Sequence, residues 1–170
     1  MLAAAFAGPG ARVICMTDGG ASHPGSRDWP RPKLAELRAA ELDAAIAALG
    51  GAASCVTRLG LPDGGMLGLA PRYDEIAAQV AQTIRAAGAR VLIAPAPTDP
   101  HCDHEATAEI ARRAARRTGA RLLFYPVWSG CTIRATARGC PSMSNTASIP
   151  SPRARPSPAP SPPIAASTGR

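Results

Sequence analysis

Apolar and polar positions switch between two rhythms along the first three quarters of the chain. Short continuous apolar runs predict buried strands, and longer stretches with apolar residues three or four apart predict helices. Arg12–Thr17 is the first run and ends at Asp18-Gly19-Gly20. Ser54–Leu59 is the second and leads to Leu61-Pro62-Asp63-Gly64, where Pro, Asp and Gly supply turn chemistry. Arg90–Ala94 is the clearest buried strand, Pro95–Pro100 forces a loop at its end, and Arg121–Val127 is the last strand. Between them, Lys33–Leu49 places Leu34, Leu37, Leu42, Ile46 and Leu49 in one half of a helical wheel and stops at Gly50-Gly51. Tyr73–Ala87 carries Ile76, Val80, Ile84 and Ala87 in a narrow stripe. Asp103–Thr118 has its acids in the first half and four Arg in the second, an order that suits the helix dipole.

Alternating strands and helices predict an α/β fold: a Rossmann-like three-layer sandwich with a mostly parallel sheet and helices on both faces. Ligands of such sheets bind beyond the C-terminal ends of the strands. Asp18, Asp63 and the Asp99–His104 segment all fall at such ends. The chain opens with Leu2–Ala7, which resembles the last turn of a helix, so the reading expects a first strand and most of a helix to be missing upstream of Met1. From Ser129 onward the pattern collapses into eight of the eighteen prolines, Ser, Ala and Arg, with no acid. That composition cannot build an apolar face and predicts disorder. The expected organisation is a domain over 1–129 and a Pro/Ser/Arg-rich tail over 130–170.

Charge changes the picture less than its total of +7 suggests, because five Arg lie in residues 131–170 and leave about +2 for the rest. A basic folded surface for nucleic acid is therefore not expected. The five cysteines are scattered without a C-x-x-C pair, which reads as reduced thiols in a cytoplasmic protein. No run approaches the roughly 18 apolar residues of a membrane span, and Leu2–Ala7 makes a poor signal peptide.

Two of the three histidines lie in His101-Cys102-Asp103-His104, entering the third long helix. The positive end of a helix dipole disfavours protonation of an imidazole there, leaving it available as a neutral metal ligand. Asp103 is placed to cap the helix or to orient a neighbouring imidazole. A catalytic zinc needs three protein ligands and an open position, and this segment offers one or two. The plainer reading is a polar loop with two exposed histidines. His23, in a Gly/Ser/Pro loop, reads as a surface residue. Arg38 and Glu41 fall inside the apolar arc of their helix, so they either pair with each other or serve a site. Asp63 could hold a ligand or its own turn backbone. Cys102 is left unassigned, because ligation from between two histidines would strain the run.

Together these segments resemble the PIG-L/LmbE-like zinc-dependent N-acetylglucosaminyl deacetylases. The matching residues are Thr17–Ser26, Leu37–Glu41, Leu59–Gly64, Asp99–His104 and Tyr125–Trp128, in the family's order across residues 1–128. The resemblance implies a Rossmann-like fold and a Zn2+-dependent hydrolase that removes the acetyl group from a small N-acetyl amino-sugar conjugate. It implies His104 as a metal ligand, His101 as the group that stabilises the tetrahedral intermediate, and Asp103 as the acid that tunes it. Arg38 and Asp63 match positions that hold the sugar. In such chemistry zinc polarises the amide carbonyl and its bound water while a base activates the attack. The family's other two zinc ligands and its base lie in a Pro-His-Pro-Asp-Asp segment that has no counterpart here. Impaired activity is therefore expected, with a non-catalytic sugar-binding remnant as the alternative. The tail after Trp128 departs from the family, and an out-of-frame reading of GC-rich DNA would account for it.

Overall fold

The computed structural model describes residues 1–23 and 25–127. Four strands, β1 (Val13–Thr17), β2 (Val56–Leu61), β3 (Val91–Pro95) and β4 (Arg121–Tyr125), alternate with the helices α2 (Arg31–Ala48), α3 (Tyr73–Ala86) and α4 (Cys102–Thr118). A short helix, α1 (Leu2–Ala7), precedes them, where the sequence reads as a last helical turn. Every predicted element is present to within a few residues. Two were missed: a 3-10 turn over Ala53–Cys55 just before β2, and a 3-10 segment over Met66–Arg72 that carries Pro71 and leads directly into α3. The expected tail over 130–170 lies outside the described residues.

The strands form two parallel pairs, β1 with β2 and β3 with β4. Among the described residues no ladder joins the pairs. Each parallel pair is connected through a helix, α2 between β1 and β2 and α4 between β3 and β4, and α3 packs on α4.

The core is the seam between α3 and α4. Ile76, Ala77, Val80 and Ile84 of α3 meet Ala106, Ile110 and Ala114 of α4, with Ile14, Met16, Leu59 and Leu92 of the strands beneath. Alanine at three of these positions lets the two helix axes come close, so the larger side chains interdigitate. Met66 is fully buried, and Tyr73, also buried, donates its hydroxyl hydrogen to Met66 O at 3.1 Å. That bond satisfies the one polar atom the Tyr ring carries into the core.

Two expectations about burial are corrected. On α2 only Leu34 and Ile46 are buried, while Leu37 and Leu49 are exposed. In β3 only Ala94 is buried, and Val91 and Ile93 are 48% and 40% exposed. Apolar periodicity marks a face as suited to burial, and the burial follows only where another element packs on it. The cysteine expectation holds at Cys15 and Cys55, which carry free thiols. Cys102, by contrast, is disulfide-bonded.

The outer surfaces of α3 and α4 are joined by charge. Asp74 receives Arg113 at 2.8 Å and Arg117 at 2.6 Å, and Arg113 also reaches Glu109 at 2.9 Å. The Arg117 hydrogen bond holds the Asp74 carboxyl below its ordinary range, and the Arg113 hydrogen bond does the same for Glu109. Carboxyls depressed in the folded state contribute their stability in full above the unfolded carboxyl range near pH 4, and lose it as pH falls through the depressed values. Thermal melts between about pH 6 and pH 2 should show the midpoint falling most steeply below about pH 4. Asp74→Asn should make that fall shallower, and an unchanged slope would show that this network carries none of it.

Candidate active site

The candidate site lies where α4 begins, at the C-terminal ends of β1 and β3. Pro95 ends β3, and the loop that follows brings Asp99 and His101 to the helix start. His101 is the N-cap, in extended conformation, and its Nδ1 accepts from the backbone N–H of Asp103 at 3.2 Å. The cap is thus His101 rather than Asp103. Gly119 closes the helix in the left-handed conformation at φ 72°, which glycine adopts without steric cost.

Asp103 is buried, and its carboxylate is engaged by the loop after β2. It accepts from the backbone N–H of Gly64 at 2.7 Å and of Met66 at 3.1 Å. The side chain therefore pins the loop after β2 to the start of α4, and acts on His101 through its backbone. The imidazole that does receive a carboxylate is His104, whose Nδ1 lies 3.1 Å from Asp99 Oδ2. Asp99 is buried and also accepts from Val127 N at 3.1 Å. The sequence reading quoted Asp99 within its motif and assigned it no role. The available signal was an acid before Pro at a strand end, five residues from a histidine.

These contacts give the neutral rings opposite tautomers. His101 Nδ1 accepts, so its proton sits on Nε2, which is a donor. His104 Nδ1 faces a carboxylate, so its proton sits there, and Nε2 keeps its lone pair. A carboxylate behind a histidine in this way orients the ring and raises its strength as a ligand. The two rings are neighbours, with centroids 4.9 Å apart. One wall thus presents a hydrogen-bond donor beside a ligand nitrogen.

Asp63, His101, Asp103 and His104 line one cavity of about 350 Å³, together with Thr17 and Tyr125. Asp63 does not serve its own turn. It accepts from Ala21 N at 3.0 Å and from Thr17 Oγ1 at 3.3 Å, tying the loop after β1 to the loop after β2. Asp18 supports the same junction, accepting from Gly20 N at 2.9 Å and Asp63 N at 3.3 Å. Arg38 does not line the cavity. It pairs with Glu41 at 2.8 Å, touches Ser22 Oγ at 3.4 Å, and packs its stem over Gly19. Both members of that pair are about half exposed, and of the readings open for Arg38 and Glu41 the contacts show the mutual pair. His23 is exposed and stands apart from the cavity, as a surface histidine does.

Among the described residues, His101, Cys102 and Asp103 offer donor atoms within 4.8 Å of one another. They do not make a zinc site. The Asp103 oxygens are taken by two backbone N–H groups, the Cys102 sulfur is in a disulfide, and the free nitrogen of His101 carries a proton. His104 Nε2 remains as the one well-prepared ligand, against the three that a catalytic zinc requires.

The fold and site together define an alternating α/β domain of parallel strand pairs, with two neighbouring imidazoles where α4 begins. A model of the PIG-L family, described as GlcNAc-PI de-N-acetylase, matches residues 1–115, and the chain belongs to that family. Comparisons with curated proteins and with solved structures return no match. The family consists of metal-dependent de-N-acetylases acting on N-acetylglucosamine conjugates.

Long-range proton–nitrogen NMR on the imidazoles should find the neutral proton on Nε2 of His101 and on Nδ1 of His104. The same tautomer on both rings would contradict the arrangement above. Asp103→Ala leaves the buried Met66 N–H without its acceptor and frees the Gly64 N–H to water, a loss of about 1–2 kcal/mol. Urea unfolding should register it, with the Gly64 and Met66 amide signals moving most.

Proposed function

We propose that this chain carries the imidazole wall of a zinc-dependent amide hydrolase acting on an N-acetylglucosamine-type conjugate, and that the described residues alone support weak zinc binding and little or no turnover. The observation that carries this reading is the pair of different contacts at Nδ1, the Asp103 backbone N–H on His101 and the Asp99 carboxylate on His104. His104 Nε2, backed by Asp99, is suited to a metal, and His101 Nε2–H is suited to an oxygen on which negative charge develops. Asp63, at the mouth of the same cavity, supports a role in holding sugar hydroxyls. Arg38 would join it only by leaving Glu41 and swinging toward the site from the loop over Gly19. The residues present do not complete a zinc site, so no catalytic step is assigned to the metal here.

Zinc titration by calorimetry should give an affinity no tighter than about 1 µM, or about 8 kcal/mol. Complete structural sites reach about 10–16 kcal/mol. His104→Ala should abolish that binding, and Asp99→Ala should weaken it by about 10–100-fold. Stoichiometric zinc retained through purification, together with amine release from an N-acetylglucosamine conjugate, would overturn the proposed impairment. Zinc binding unaffected by His104→Ala would overturn the site itself.

A further inference from the structure

Three aromatic side chains are exposed among the described residues: Trp29, Phe124 and Tyr125. Two of them already carry a cation over the ring. Lys33 Nζ lies 4.4 Å from the Trp29 centroid, and Arg112 Cζ lies 5.2 Å from that of Phe124. Tyr125 carries none, and its hydroxyl meets no hydrogen-bonding partner among the described residues. It is 42% exposed and lines the same cavity as Asp63, His101 and His104. No other phenyl, phenol or indole ring lies in that lining.

The backbone that carries this ring is held on both sides. Tyr125 O accepts from Ala96 N at 2.9 Å, and two residues on, Val127 N donates to Asp99 at 3.1 Å. Pro126 between them fixes its own φ and keeps Tyr125 extended. Asp99 is also the acid behind His104. One carboxylate thus holds the imidazole and the end of β4 together, so the root of the Tyr125 side chain keeps a constant place relative to His104.

Resting on the reading of this cavity as a sugar site, we infer that Tyr125 is its platform, the surface on which the apolar face of the pyranose lies. An N-acetylglucosamine ring has hydroxyls around its rim and C–H bonds on its faces. It needs hydrogen-bonding groups at the rim and a flat apolar surface against one face. Asp63 supplies the first. Each of its oxygens accepts one hydrogen bond, from Thr17 Oγ1 and from Ala21 N, which leaves lone pairs for sugar hydroxyls. Tyr125 supplies the second. Asp63 follows β2 and Tyr125 ends β4, so each strand pair gives the cavity one of the two groups. At about 350 Å³ the space is near the lower end of the range for small-molecule sites, about 300–1,000 Å³, which suits one sugar ring rather than several.

The chain has two tyrosines, so the ring can be watched directly. The full chain labelled with 3-fluorotyrosine gives one fluorine resonance from buried Tyr73 and one from Tyr125. Titration with methyl N-acetyl-β-glucosaminide, without metal, should move the Tyr125 resonance to saturation and leave that of Tyr73 in place. Backbone-amide NMR then gives the affinities of variants. Tyr125→Phe keeps the ring and should bind within about twofold of the parent, whereas Tyr125→Ala should weaken binding about tenfold. Leu123→Ala is the control and should change nothing, since Leu123 is similarly exposed on the same strand and lies outside the cavity lining. A Tyr125 resonance that stays in place while the glycoside binds, or a Tyr125→Phe loss as large as that of Tyr125→Ala, would overturn the platform and leave the sugar reading on Asp63. No glycoside binding up to its solubility limit would overturn the platform and the sugar reading together. The zinc half-site is judged by calorimetry in every case.

Discussion

The buried Asp103 carboxylate is the interaction on which the rest of the arrangement depends. The two strand pairs share no hydrogen-bonded ladder among the described residues, so something other than a sheet must hold them in register. Packing of α3 on α4 supplies the bulk of the attraction, but apolar contact is non-directional and tolerates sliding. Two charge-assisted bonds from one side chain to Gly64 N and Met66 N do not. They fix the loop after β2 against the start of α4, and so fix the half of the molecule that holds Asp63 against the half that holds the histidines.

The same constraint shapes the chemistry of the site. With its carboxylate engaged on the loop, Asp103 has only its backbone N–H to offer His101, and that bond leaves the ring's Nε2 as a donor. Asp99 takes the other position, behind His104, and leaves a lone pair on that ring. Two acids four residues apart thus set two neighbouring imidazoles to opposite tasks. Geometry alone separates the two tasks. The tie between Asp63 and the loop after β1 has a similar logic, since a group that lines the cavity also fastens one of its walls.

Exposure of Val91 and Ile93 follows from how their strand is covered. A parallel strand is buried only when elements pack on both of its faces. Leu92 packs against the core formed by α3 and α4, whereas Val91 and Ile93 alternate with it, point to the other face and stay 48% and 40% exposed.

The order and kind of elements, the strand ends that carry Asp63 and Asp99–His104, and family membership were legible from the chain because each rests on local pattern: apolar period, turn residues and short motifs. Even the surface place of His23 followed from its loop. Tertiary structure alone decided which acid serves which histidine, because Asp103 adjoins His104 in sequence, yet the acid whose carboxylate meets that ring is Asp99, five residues away. It decided that Arg38 pairs with Glu41 in half-exposed positions, since an apolar arc on a wheel is buried only where another layer exists to bury it. It also decided that, among the described residues, the four strands form two parallel pairs, for hydrogen-bond partners across a sheet are distant in sequence and no local period encodes them.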